Sequence, residues 1–150
     1  MPQSPRDPNC VFCKIIAGEI PSTRVLETDR AIAFLDINPV NKGHVLIVPR
    51  AHHARVLDLP DDLSAHVGSL VPRLARAVHD ATGAEDSNVI INSGRVAGQT
   101  VDHCHWHIVP RFQGDPVRWP WPQGQYAGDE AKQTADAIIR ALKDEANADG

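Results

Sequence analysis

The chain has 150 residues and a formal net charge of -4, and its 15 lysines and arginines are scattered rather than clustered. That length suits one domain with a hydrophobic core, while the lack of a basic run argues against a surface for a nucleic-acid polymer, which needs successive phosphates neutralised. No apolar stretch of signal or membrane-spanning length is present, so no membrane partner is expected and the expected location is cytoplasmic.

Residues 1–9 are polar and proline-rich and read as a flexible tail, with a single domain expected over 10–150. "VFCKIIAGEIP" suits one or two helical turns ending at Gly18, ahead of Pro21. "RVLETDRAIAFLDI" contains two short strand-like runs, near 25–27 and 32–35, around a Thr-Asp-Arg turn, and "GHVLIVP" is a third strand closed by Pro49. From Pro60 the apolar period becomes 3.6: Leu63, Val67, Leu70, Val71, Leu74 and Val78 form one stripe. Asp61 is the expected N-cap of that helix, Gly83 its stop, and Pro72 a kink or a point of tertiary compensation. His66 and His79 lie off the stripe and read as solvated surface residues. "NVIINSG" is the fourth strand and "DHCHWHIVPR", residues 102–111, the fifth. The prolines of "RWPWPQG" forbid regular structure, and 129–146 reads as an amphipathic helix with Ile138, Ile139 and Leu142 inward. The class is α+β, with a five-stranded, mainly antiparallel sheet, one long helix and a C-terminal helix.

Alternation along a strand places His103, His105 and His107 on one face and Cys104, Trp106 and Ile108 on the other. One face is chemical and the other is core, with Cys104 an inert buried thiol. Same-face neighbours stand about 6.6 Å apart, so two histidines can share a metal but three cannot without distortion. At least one is left to act as acid, base or nucleophile. Cys10 and Cys13 form a C-x-x-C pair suited to zinc or to redox chemistry; it does not precede a helix in a βαβ unit, which favours zinc. Spacing alone does not choose the two further ligands among eight histidines. "NSGRVAGQTVDH" combines glycines with the neutral donors Asn92, Ser93, Gln99 and Thr100, a candidate phosphate cradle leading into the histidine strand. His44, in the third strand, is a fourth candidate.

These residues carry a resemblance. "HCHWHIV" resembles the His-φ-His-φ-His-φ-φ signature of the histidine triad (HIT) superfamily of nucleotide hydrolases and transferases. "CVFCKIIAGEIPS", "AFLDINP", "GHVLIVPRAH" and "NSGRVAGQTVDH" are similar to further family blocks, in family order. "RWPWPQG" is similar to the Trp-Pro stretch of the Hint-like branch. The resemblance implies a HIT-like fold and a nucleotidyl-histidine mechanism at the α-phosphate of a nucleoside phosphoramidate or dinucleoside polyphosphate. His105 would be the nucleophile, His107 would stand beside the phosphate or leaving group, and His44 would complete the pocket. Asp36 would bind ribose with Ile37 beside a purine base, and Asn92, Gln99 and Thr100 would contact phosphates or leaving group; Thr100 replaces the usual serine and keeps its hydroxyl. A structural zinc would be held by Cys10, Cys13, His52 and His103. A homodimer is also implied, with Trp119 or Trp121 either reaching a neighbouring active site or folding back over its own core. The alternatives are a nucleotidyltransferase or phosphorylase of the same superfamily, disfavoured by histidine at 107 where uridylyltransferases have glutamine, and a zinc-stabilised nucleotide-binding regulatory module.

Overall fold

Alternation of apolar side chains on both sides of three adjacent strands calls for cover on both faces of the sheet, and the chain supplies it unequally. The computed structural model describes residues 5–148, so the first four positions of the expected tail and the last two of the expected domain lie outside the described residues. Strands β1 (Arg24–Glu27), β2 (Ala31–Leu35), β3 (Val45–Pro49), β4 (Asp86–Ile90) and β5 (Trp106–Arg111) form one sheet in the order β1-β2-β3-β5-β4. Every neighbouring pair is antiparallel. Helix α1 (Val11–Ile16) precedes the sheet, α2 (Asp61–Thr82) connects β3 to β4, and α3 (Glu130–Ala148) follows β5.

The larger core lies between the sheet and the two long helices. Ala31, Ala33, Leu35, Val45, Ile47, Trp106 and Ile108 meet Leu63, Val67, Leu70, Leu74 and Val78 of α2 and Ile138 and Leu142 of α3. Val71 and Ile139 are half-buried at its margin. The opposite face is covered only in part: Ile32, Phe34, Leu46 and Val48 pack under Phe12, Cys13 and Ile15 of α1. The histidines project from this second face, and the uncovered remainder is the cavity described below.

Helix α2 begins one residue after its cap, which is Pro60 rather than Asp61; Asp61 and Asp62 occupy the first turn, where their charge opposes the helix dipole. Gly83 ends it in the left-handed conformation at φ 75°, its N–H donating to the His79 carbonyl. Pro72 leaves α2 one continuous helix, because both Pro72 and Gly68, whose carbonyl it deprives of an amide, face water. No described helix is long and apolar enough to cross a membrane. His66 is not simply solvated: it is half-buried, with Nε2 2.9 Å from Thr28 Oγ1. His79 is half-buried as well.

β5 is shorter than expected, starting at Trp106 rather than near 102. The ladder with β3 stops at Ile47 opposite Trp106. One step on, Pro49 has no N–H to offer, and the Cys104 N–H donates instead to the His53 carbonyl at 2.7 Å. Side chains keep alternating through this lead-in, so Cys104 still enters the larger core while His103 and His105 contact Phe12 on the other side.

Candidate active site and metal centre

Cys10 caps α1, and its Sγ accepts the Cys13 N–H at 3.4 Å, so one short helix brings both thiols to one point. The lead-in to β5 adds His103 and the loop after β3 adds His52. Cys10 Sγ lies 3.3 Å from His103 Nδ1, Cys13 Sγ lies 3.6 Å from that atom and 3.4 Å from His52 Nδ1, and the two Nδ1 atoms are 3.2 Å apart. A tetrahedral zinc with ordinary Zn–S and Zn–N bonds has edges of about 3.3 to 3.8 Å, so these residues fit that ion. His103 Nε2–H donates to the Pro49 carbonyl at 2.8 Å, which leaves Nδ1 as the lone-pair nitrogen facing the thiols. Burial pushes the Cys10 thiol up to about 11, a cost that a bound cation reverses by favouring thiolate. Cys104 lies outside this group, and burial pushes its thiol up to about 12.

Beyond the metal centre, the uncovered part of the sheet and the loops above it enclose a cavity of about 500 Å³. His44, His105 and His107 form its reactive wall, with Asp36 and Ile37 at one side and Asn92 and Thr100 at another. Asp36 is held by the Asn38 N–H at 2.9 Å, and burial raises its pKa. Ile37 is 77% exposed, free to lie against a flat ligand. Phe12 sets its edge against His105 with ring centroids 5.0 Å apart.

The backbone assigns each imidazole a tautomer. The Val40 N–H donates to His44 Nδ1 at 3.1 Å, so neutral His44 carries its proton on Nε2. That proton points at His107 Nδ1, 2.9 Å away, and so neutral His107 carries its own on Nε2. His105 Nδ1–H donates to the His103 carbonyl at 2.7 Å, leaving Nε2 as a free lone pair. Burial is the main cause holding all three neutral, with His44 and His107 each lowered to about 3 and His105 lowered as well. Asp36, His44 and His107 also have the composition of a cation site, with ligand atoms within 4.8 Å of one another. The Val40 N–H opposes that use, since it commits His44 Nε2 to carrying a proton.

Two expected contacts are placed differently. Gln99 is buried and does not line the cavity: its Oε1 accepts the Gly94 N–H at 2.7 Å, and its amide donates to the carbonyls of Ala54 and Val101 at 2.6 and 2.9 Å. It braces the loop that carries Asn92 and Thr100 and has no donor left for a phosphate. Ser93 Oγ likewise accepts the Val56 N–H. Trp119 and Trp121 line this chain's own pocket. Trp121 sits 5.0 Å from His107 and 6.0 Å from His44 between ring centroids, and Trp119 stacks edge-on against it. Phe12 and Val40 were not singled out by sequence reasoning; an apolar residue in a helix and a backbone amide carry no signal of their own.

A family model described as "HIT domain" matches residues 17–114. The adenosine 5'-monophosphoramidase hnt1 of Schizosaccharomyces pombe is 38% identical over 136 residues, covering 90% of this chain and 99% of that one. The adenylylsulfatase HINT3 of Arabidopsis thaliana is 41% identical over 107 residues, 71% of this chain and 54% of that one. Among solved structures, a Zn-bound histidine triad family protein from Mycobacterium smegmatis superposes with a TM-score of 0.84 at 33% identity, covering 93% of this chain and 97% of its own. Matched through its sheet, its histidine strand and both flanking loops, the chain belongs to the HIT family.

Proposed function

We propose that the chain is a HIT-family nucleotide hydrolase that cleaves the bond between the α-phosphate of a purine nucleoside monophosphate and an amine or similar leaving group, through a nucleotidyl intermediate on His105. The observation that carries this reading is the fixed tautomer of His105: its Nε2 lone pair opens into a cavity of mononucleotide size while the His103 carbonyl holds Nδ1–H. Asp36 is placed to accept the ribose hydroxyls, Ile37 to cover the base, and Asn92 and Thr100 to donate to phosphate oxygens. Nε2 attacks the α-phosphorus and the bond to the leaving nitrogen breaks. His107 donates its Nε2 proton to that nitrogen and is reprotonated from solvent. In the second step water adds to phosphorus, the phosphorus–Nε2 bond breaks, the proton of the attacking water passes to solvent, and His105 is restored. The products are a nucleoside monophosphate and an amine. Relatives named for phosphoramidase and adenylylsulfatase activity support a shared attack with different leaving groups.

Zinc held by Cys10, Cys13, His52 and His103 would fill its coordination sphere with protein atoms and supply a cross-link between α1 and the lead-in to β5. The chain forms a homodimer in this reading. Support comes from β4, an edge strand with Val89 47% exposed, and from fully exposed Val96 in the adjoining loop. Light scattering at micromolar concentration would find twice the chain mass; a monomer would contradict the dimer alone. The activity is tested with adenosine phosphoramidates, adenylyl sulfate, dinucleoside polyphosphates and nucleoside-diphosphate sugars. Release of AMP from the first two classes is expected. Transfer to phosphate or to a second nucleotide in preference to water would overturn the hydrolase reading.

A further inference from the structure

Asp7 lies outside the stretch matched by the family model, yet it touches three of the four residues of the metal centre through three different groups. Its N–H points at Cys13 Sγ, 3.4 Å away. Its carbonyl accepts the Cys10 N–H at 3.1 Å. Its Oδ1 is engaged by the Asn9 N–H at 2.8 Å, which turns Oδ2 toward His52 Nε2 at 3.9 Å. The neighbouring residues hold it there: the Pro5 carbonyl accepts the His52 N–H at 2.7 Å, and Arg6 pairs with Glu19 at the far end of α1.

Two of these contacts, to Cys13 and to His52, suit a metal-bound state of the residue they meet. A thiolate is a stronger acceptor of an N–H than a thiol, so the amide of Asp7 favours the ligating form of Cys13. A histidine bound through Nδ1 must carry its proton on Nε2, the atom that faces the carboxylate, and a carboxylate there orients the ring and raises its basicity as a ligand. At 3.9 Å the two atoms stand just beyond hydrogen-bond distance, and a small rotation of either side chain would bring them within it. His103, the other imidazole ligand, donates from its outer nitrogen to the Pro49 carbonyl, and the carboxylate of Asp7 is the group that faces the outer nitrogen of His52.

We propose that Asp7 is a positioning residue for the metal centre, using its carboxylate to hold His52 as a ligand and its backbone to close the N-terminal segment over the two cysteines. The proposal rests on the assignment of zinc to this centre, and it makes segment 5–9 part of the site instead of a tail.

The test uses the full chain, loaded with zinc and carrying one ion per chain by native mass spectrometry, and follows zinc release to an excess of chromogenic chelator. Asp7→Asn is the decisive variant: asparagine still accepts the Asn9 N–H and keeps the turn, so a merely structural Asp7 would leave release unchanged. Positioning by the carboxylate predicts release faster by about tenfold or more in Asp7→Asn and Asp7→Ala. Asp7→Glu is expected to recover part of the loss. Release from Asp7→Asn at the wild-type rate would overturn the role of Asp7 while leaving zinc in place, whereas a wild-type chain that takes up no zinc would overturn the metal assignment and this proposal with it.

Discussion

His44, His105 and His107 are the same side chain put to different uses by two backbone partners, by one another and by burial. The Val40 amide makes His44 a donor from Nε2, His44 makes His107 a donor from Nε2, and the His103 carbonyl makes His105 an acceptor at Nε2. His107→Ala should therefore injure substrates by their leaving group: about 10²-fold in turnover for an alkylamine, which must leave protonated, and much less for sulfate, which need not. Rates measured on paired substrates check this, and equal losses on both would contradict it. The same burial has a stability consequence with a definite sign. His44 and His107 are lowered from 6.5 to about 3 in the folded chain, so below pH 6.5 the unfolded chain binds protons that the folded one refuses. Their contribution is flat above pH 6.5, and stability falls as pH drops from there toward 3. Denaturant unfolding at pH 7 and pH 5 should find the lower stability at pH 5; equal values would contradict the neutral, buried assignment.

Helix α1 is only six residues long, too short to persist by itself, and it holds its place through Phe12 and Ile15 on the sheet and through the cysteines at its start. Cys10→Ser should release the metal and lower stability by more than about 3 kcal/mol, since a structural ion acts through folding. Turnover of the molecules that remain folded should fall much less, because no ligand atom faces the substrate. Chemical denaturation alongside activity per folded chain separates the two effects. The elements were largely legible in the sequence because their signals are local: the 3.6 period of α2, the short apolar runs of β2 and β3, Gly83 as a stop. What was not legible depended on partners far along the chain. The shortened β5 follows from the missing amide of Pro49, which only the pairing of β3 with β5 makes relevant. Gln99 has the chemistry of a phosphate contact, and only the fold reveals that its amide is already occupied.

Across the whole molecule, two cores of unequal size leave one sheet face partly uncovered, and His44, His105 and His107 line the cavity in that region. The larger core, with α2 and α3 on one side, keeps the sheet rigid; α1 and the metal centre hold the near end of the histidine segment; the tryptophans close the far end. His103 and His105 are two residues apart yet serve different centres, because the chain turns out of its ladder between them and Trp106. Residue types and spacing left the partners of the C-x-x-C pair open; the family resemblance implied the four residues of the candidate metal centre and the three pocket histidines, and the structure brings each set together. The Val40 amide and Asp7 had no such signal, since a backbone N–H is common to nearly every residue and an aspartate in a polar segment is ordinary. The central claim is that His105 is the nucleophile. Wild-type protein mixed with an adenosine phosphoramidate, quenched within milliseconds and weighed as the intact chain, should gain one adenylyl group that maps to His105 and is lost in acid. His105→Ala should gain none, should bind AMP nearly as well as wild type, and should lose at least about a thousandfold in turnover. An adduct on another histidine, or substantial turnover in His105→Ala, would contradict the account.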